Sequence, residues 1–404
     1  MNVLFLTVGN FQSIHNQGIY QDFVKELSKK CKLVLVLSPL QRRENKKTQI
    51  IREGNVIIVR IKMLNITKTN KIEKGFSTLL IETLYYRIIK RYFNDIKFDM
   101  IVYSTPPITF SKLIQKLKEK NNSKTYLMLK DIFPQNAVDL KMFKHTSLIY
   151  KYFRKKEVKT YKISDYIGVM SPKNKQYILQ HNPMLQKEKI HIFRNATYDT
   201  SNNFKNNDRN LIFKKYNLDS DKVTFIYGGN VGLPQGIESI KNVITRFNEI
   251  NNSQLIIVGS GTKFQEIQEF SRNFKDVFIL NQLPKKDYDS LLICSDIGLI
   301  FLDRRFTIPN YPSRLTSYLM LGKPVISVTD SNTDISTEVE KYNCGFKITN
   351  NDISNFVEVS NEMAKNSQLR KKMGENAKLM FDKLFKIENN VENMLSFING
   401  KEIK

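Results

Sequence analysis

The chain has 404 residues, 41% of them hydrophobic and 25% charged, a balance that excludes a disordered or fibrous protein. At roughly 150 residues per domain it predicts two domains, or three, each able to bury its own core. Three cysteines (Cys31, Cys294 and Cys344) lie far apart with no CxxC pair, and there are only four histidines, which excludes a disulfide scaffold and disfavours a structural zinc site. The expected compartment is the cytoplasm. No apolar run approaches the ~18 residues of a membrane span, and the opening MNVLFLTVGN lacks the charged n-region of a signal peptide.

The formal charge of +25 is concentrated in one half. Residues 1–200 hold 37 Lys+Arg against 15 Asp+Glu, a net +22, and residues 201–404 hold 27 against 24, a net +3. Such asymmetry suits a polyanionic partner such as nucleic acid or an anionic bilayer; a solvated lysine-rich surface is the plain alternative.

In chain order, short apolar runs alternate with helix-length polar segments. VLFLTV (3–8), LVLVL (33–37), VIIVRI (56–61), MIVY (100–103), TYLML (125–129), YIGVM (166–170) and IHIF (190–193) read as strands, with helices at 17–29, 76–94 and 109–120 between them. ATYDTSNNFKNNDRN (196–210) breaks the pattern as a linker does. VTFIY (223–227), QLIIVG (254–259), VFIL (277–280), IGLIF (297–301) and PVISV (324–328) then restart it, and 381–398 reads as a closing helix with an apolar stripe from Phe381 to Phe397. Consecutively apolar strands spaced by helices imply parallel sheets covered on both faces, hence an α/β protein of two units with a ligand cleft between them.

Two constellations suit an anionic ligand. Gly228-Gly229-Asn230-Val231-Gly232, followed by Gln235-Gly236, carries a strand into a helix, where glycines let backbone N–H groups approach a diphosphate; a glycine turn without a ligand remains open. In IPNYPSRLTSYLMLGKPVIS (308–327), Pro312 and Ser313 start a helix and Arg314 occupies its first turn, where an outward-facing guanidinium would meet phosphate oxygens. Asp131 follows the strand TYLML at its carboxyl end and is a candidate to orient an acceptor hydroxyl or take its proton, with a turn cap as the alternative.

YGGNVGLPQG, VGSGTKFQEI, the loop 281–302, PSRLTSYLMLGKPV, and in the first half STPPITFSKLIQKL, LKDIFPQNAVDL and FRNATYDT together resemble the retaining family-4 glycosyltransferases of GT-B fold, in the branch that builds bacterial capsule and O-antigen polysaccharides. The resemblance implies two Rossmann-like domains, 1–200 for the acceptor and 201–384 for a nucleotide-sugar donor, facing across a cleft, with 385–404 crossing back onto the first. It implies a donor, expected to be UDP-linked, held by Gly18, Asn195, Gly229, Asn230, Gly232, Gln282, Leu283, Ser313, Arg314 and Ser317, with Asp131 in the active site. Backbone amides, a helix terminus and an arginine would stabilise the departing diphosphate, so no metal and no cofactor are expected. Two departures stand out. The family's glutamate pair is replaced by Pro309 and Ser317, and Leu233 and Gln235 stand where a basic pair is common.

Residues 141–162 interleave eight basic residues with apolar ones, and YYRIIKRYF (85–93) repeats the mixture. Lys151, Arg154, Lys155 and Lys156 are therefore expected at an anionic membrane surface, and the resemblance adds a polyprenyl-diphosphate-linked saccharide as acceptor. Nucleic acid is disfavoured for want of any binding-module signature. The expected protein is a peripheral enzyme of the inner membrane face that transfers a hexose-type sugar with retention. The alternatives are a nucleotide-sugar epimerase resembling UDP-N-acetylglucosamine 2-epimerase, and a non-catalytic sugar-binding subunit.

Overall fold

A computed structural model describes residues 1–66, 69, 71–204, 207–349 and 352–401. The chain divides into two compact units, one made of residues 1–198 with 387–404 and the other of 199–386. Of the expected linker, residues 205 and 206 lie outside the described residues, as do 402–404 of the tail.

The first unit is built on an eight-stranded sheet among the described residues. Its strands are β1 (Asn2–Leu6), β2 (Leu33–Gln41), β3 (Gln49–Glu53), β4 (Val56–Met63), β5 (Met100–Ser104), β6 (Lys124–Leu129), β7 (Tyr166–Val169) and β8 (Ile190–Ile192), in the order β3-β4-β2-β1-β5-β6-β7-β8. All pairs are parallel except β3 on β4. That pair is a hairpin closed by Gly54 and Asn55, and Gly54 supplies the positive φ (60°) such a two-residue turn requires. The central strands are buried because helices cover both faces: Phe23, Val24 and Leu27 of the helix Ile19–Ser28 lie in one core with Val3, Phe5, Val34 and Val36.

The second unit has, among the described residues, a six-stranded parallel sheet: β9 (Val223–Asn230), β10 (Ser253–Ser260), β11 (Val277–Asn281), β12 (Ile297–Phe301), β13 (Val325–Thr329) and β14 (Gly345–Thr349), ordered β11-β10-β9-β12-β13-β14. This is the doubly wound 3-2-1-4-5-6 arrangement, whose order reverses between β9 and β12. Ligands in such sheets bind at the carboxyl ends of the strands beside that reversal.

The closing segment departs from the sequence reading. In place of one helix over 381–398, the helix Ser367–Leu384 ends, and Ile387–Ile398 begins after a break at Phe385 and Lys386. The break moves the chain from one core to the other. Phe381 and Phe385 are buried in the second unit, whereas Ile387, Val391, Met394 and Ile398 belong to the core of the first. The N–H of Ile387 donates to the carbonyl of Thr197 at 3.1 Å, and the side chain of Asn390 accepts from the N–H of Arg194 at 3.2 Å. The described residues on either side of 205 and 206 are likewise more structured than a loose linker: Asp199 pairs with Lys378 at 2.5 Å, and Arg209–Lys215 is helical behind an Asp208 cap. No helix among the described residues is long and apolar enough to cross a membrane.

Candidate active site

At the order reversal of the second unit, β9 runs into Gly228, Gly229 and Asn230, and a short 3-10 turn Leu233–Gln235 leads to the helix Ile237–Arg246. Close backbone contacts fix this loop. A Cβ on Gly259 would stand 1.9 Å from the carbonyl oxygen of Gly229, and one on Gly261 would stand 2.3 Å from that of Val231. Side chains at these positions would push the loop off β10. Val231 N–H donates to Ser260 O at 2.8 Å and Lys263 N–H to Val231 O at 3.0 Å, closing the contact from both sides. The loop after β12 joins through Asp303 N–H, which donates to Pro234 O at 3.0 Å.

Gln235 organises the loop from within. Its Oε1 accepts from Asn230 Nδ2 at 2.8 Å and from Gly232 N–H at 3.1 Å. In sequence Gln235 stands, with Leu233, where a basic pair is common; here it is the brace of the glycine turn. The helix Ile237–Arg246 starts at Gly236, in left-handed conformation (φ 62°), a residue with no side chain to place over the helix start. The positive end of a helix is an electrostatic fit for an anion.

Arg314 opens the helix Arg314–Met320 and departs from the outward direction expected of it. Its guanidinium carbon lies 4.0 Å from the centroid of the Tyr227 ring, and its Nη2 would be 3.3 Å from a Cβ on Gly229. The cation therefore lies along the glycine turn, on an aromatic floor that a lysine would stack on less well. Nη1 of Arg314 is buried and has no hydrogen-bond partner. Burial raises the Tyr227 phenol, an effect the Arg314 charge opposes, and the hydroxyl donates to Asn230 O at 2.7 Å. Tyr318, whose phenol burial pushes up to about 12, hydrogen-bonds the carbonyls of Ile226 and Leu299, and the Tyr288 hydroxyl packs where Gly228 lacks a Cβ. The sequence analysis missed this tyrosine trio. Their signal was one aromatic near the end of a strand and two on helices, which reads equally well as core.

The other expected donor residues are spread more widely. Ser313 is exposed at the start of the Arg314 helix and its side chain makes no cap, and Ser317 is half-buried one turn later. Gln282 accepts from Ser260 Oγ at 3.1 Å, which ties it to the strand beneath the glycine turn, and Leu283 is half-buried beside it. Gly18 and Asn195 belong to the first unit, Gly18 at the start of the helix Ile19–Ser28 and Asn195 just beyond β8.

In the first unit Asp131 follows β6 and is half-buried. Asn136 Nδ2 donates to both carboxylate oxygens, at 2.8 and 2.9 Å, and Thr105 Oγ1 accepts from Lys130 N–H at 3.1 Å and donates to Asp131 O at 3.3 Å. Desolvation raises the Asp131 carboxyl to about 6 against the opposing Asn136 hydrogen bond. The neighbouring Lys130 is half-buried, desolvation lowers it to about 7, and its ammonium donates to the carbonyls of Phe193 and Arg194. A carboxylate poised near neutrality is suited to proton transfer.

The basic surface also needs a correction. Arg154 is bound into the unit: it pairs with the buried Glu157 at 2.5 Å and donates to Asn182 Oδ1 at 2.7 Å and His181 O at 2.8 Å. Lys151 and Lys155 are exposed, and Lys156 lies 5.7 Å over the Tyr152 ring. Around them Met142, Leu148, Ile149 and Tyr152 are exposed at 66, 82, 55 and 44%. Within YYRIIKRYF, Tyr85 and Phe93 are buried and only Tyr92 among the aromatics is strongly exposed.

Residues 208–380 match the family described as Glycosyl transferases group 1. Most of the second unit therefore matches a glycosyltransferase domain. A curated relative, the probable glycosyltransferase WbjE of Pseudomonas aeruginosa, is 21% identical over 261 residues, 63% of each chain, so the chain spans less than two thirds of the length of the curated relative it matches. Among solved structures, WaaG, a glycosyltransferase involved in lipopolysaccharide biosynthesis, superposes with a TM-score of 0.67 at 13% identity over 98% of this chain and 100% of that one. HepE of Anabaena, in complex with UDP-glucose, gives 0.69 at 12% identity over 99 and 100%. The fold is GT-B, and the region that matches the family contains the glycine turn, Tyr227 and Arg314 described above.

Proposed function

We propose that the protein is a retaining, metal-independent glycosyltransferase of the family-4 kind that moves a hexose-type sugar from a UDP-linked donor to a lipid-linked saccharide in bacterial surface-polysaccharide synthesis. The observation that carries this reading is the buried, unpartnered Nη1 of Arg314 beside Gly229. An orphaned buried donor costs roughly 1–3 kcal/mol, more for a charged group, and an anionic oxygen would satisfy it. As the donor's glycosidic bond breaks, negative charge grows on the leaving diphosphate. Arg314 and the positive end of Ile237–Arg246 are placed in this unit to stabilise that charge without reorganising. The UDP-glucose held by HepE and the part played by WaaG in lipopolysaccharide biosynthesis support the donor and the product class.

In this reading Asp131 orients the acceptor hydroxyl, and Ser317 or the loop 307–311 contacts the sugar in place of the absent glutamate pair. The match to a glycosyl transferases group 1 domain favours transfer over epimerisation. Peripheral attachment at the inner membrane face is supported by Leu148, Ile149 and Tyr152 standing exposed beside Lys151 and Lys155. The test is a thermal-shift panel of nucleotides and nucleotide sugars, followed by transfer assays on a polyprenyl-linked saccharide with and without chelator. Stabilisation by UDP and its sugars with chelator-insensitive transfer is expected; stabilisation by NAD or RNA alone would overturn the donor, and loss of transfer in chelator the metal-free mechanism.

A further inference from the structure

The first unit contains a cavity of about 310 Å³ between the carboxyl end of β4 and the helix Lys71–Tyr92, and the glycine turn and Asp131 take no part in it. Its walls are Met63, Leu64, Leu80 and Leu84. The hydroxyl of Ser77, which also faces it, is already satisfied by the carbonyl of Leu64 at 3.0 Å, so the floor offers no unmet polar group. Phe76, Leu80 and Leu84 stand four residues apart and share one face of the helix. Phe76 is 60% and Leu80 45% exposed, so an apolar track runs from open surface into the cavity. At the rim are Arg42 and Lys62. Arg42 pairs with Glu73 at 3.3 Å while remaining 63% exposed, and Lys62 has no carboxylate partner among the described residues.

An apolar slot open to the surface and lined by two cations complements a hydrocarbon chain that carries a phosphate. The position in the sheet fits the same occupant. β4 lies two strands from β1, about 10 Å at the usual strand spacing, and the helix is tied to the carboxyl end of β1 by the Tyr85 hydroxyl, which donates to Thr7 O at 2.8 Å. A chain seated here would hold its headgroup at the end of the sheet where ligands of such folds bind. We propose that this cavity receives the first segment of the prenyl chain of the acceptor lipid, with Arg42 and Lys62 on its phosphate. The proposal rests on the lipid-linked acceptor reading and names the surface that selects that lipid.

The absence of tryptophan from the chain makes a clean test. Leu80→Trp, at a position already partly exposed, reports on the cavity, and Phe76→Trp repeats the measurement should the first variant fail to fold. Titration with farnesyl phosphate is expected to blue-shift the indole emission saturably, with affinity falling at least tenfold for farnesol or after Arg42→Ala with Lys62→Ala, while inorganic phosphate gives no shift. Leu148→Trp, in the separate exposed patch, is expected to give no saturable response at the same concentrations; equal responses from both reporters would show detergent-like adsorption and overturn the proposal. UDP binding is measured in parallel. UDP binding with an unshifted indole defeats the cavity alone, whereas saturable farnesyl phosphate binding in a protein that binds no nucleotide defeats the acceptor role assigned to it.

Discussion

The carbonyl oxygen of Gly229 occupies the place where Gly259 would carry a Cβ, 1.9 Å away, so two neighbouring strands meet at the proposed diphosphate site only because one residue has no side chain. The contact is backbone against backbone and has no flexible end to yield. Gly259→Ala must lift the turn. A cost of about 1–3 kcal/mol is expected for such overpacking, equivalent to a fall of roughly 2–10 °C in melting temperature for a unit of this size, together with weaker UDP binding. Unchanged melting and unchanged UDP affinity would show that the turn tolerates displacement and that its backbone does not read the donor.

Arg314 separates binding from stability. Its Nη1 is buried with no hydrogen-bond partner and its charge rests on Tyr227, so that donor adds little to the stability of the unit. Arg314→Met keeps much of the volume and removes the orphaned donor. UDP affinity is expected to fall about 10–100-fold, the worth of one or two charge-assisted hydrogen bonds, while the nucleotide-free protein melts no lower than the parent. Arg314→Lys is expected to recover little, because the ammonium has no planar fork. Calorimetric titration with UDP and a melt of each variant decide it; full affinity in Arg314→Met would mean that the diphosphate binds elsewhere.

Asp131 gives a pH dependence whose sign follows from its environment. Its carboxyl titrates at about 6 in the folded chain, raised chiefly by burial, against ~3.9 unfolded. The folded state therefore binds the proton more tightly. The penalty for burying the charge is absent below about pH 4, grows as pH rises and is complete above about 6, where it reaches roughly 2–3 kcal/mol. Asp131→Asn is expected to raise the melting temperature at pH 7.5 and to leave it nearly unchanged at pH 4. If the carboxylate orients the acceptor, transfer by the parent falls as pH drops through 6, and the variant loses at least 100-fold at every pH. A variant less stable at pH 7.5 would contradict the burial argument.

Strands such as MIVYS and VISVT were legible because they are buried on both faces and need only be continuously apolar. β3 and β14 were not, because Arg52, Glu53 and Lys347 give these edge strands a polar appearance and only pairing with β4 and β13 makes them strands. The glycine turn and Arg314 could be read from residue type and order. The Tyr227 floor and the Gln235 brace could not, since neither residue differs in sequence from an ordinary strand aromatic or turn amide; their roles come from what the fold lays against them. The closing helix was misread for the same reason: a stripe of apolar residues does not say that two different cores share it.

The basic helix holds two kinds of cation that sequence treats alike. Arg154 compensates the buried Glu157, so Arg154→Gln leaves a carboxylate stranded inside the unit. A loss of about 2–4 kcal/mol is expected. Lys151→Glu with Lys155→Glu should leave melting within 1 °C or so, because exposed lysines contribute little to stability, yet reduce sedimentation with anionic vesicles severalfold, at roughly 1 kcal/mol for each charge near the surface. Vesicle binding that is insensitive to the two lysines and to salt would remove the membrane role from this helix.

The segment Ile387–Ile398 completes the core of a unit that ends, by contact, nearly two hundred residues earlier. Ile387, Val391, Met394 and Ile398 are buried against Phe23, Val24 and Leu27 of the first helix, and the carbonyl of Ile398 accepts from Lys124 Nζ at 3.2 Å and from the Tyr166 hydroxyl at 3.1 Å. Four such side chains, at about 1.5–3 kcal/mol each, are worth as much as the whole net stability of a typical domain. Truncation after Lys386 is therefore expected to leave the first unit unfolded or aggregating while the second unit, residues 199–386, still binds UDP. Met394→Ala, a milder form of the same change at a fully buried site, is expected to cost about 2–5 kcal/mol. If the truncated protein kept both a cooperative melt for its first unit and full transfer activity, the closing helix would be an appendage and not part of that core.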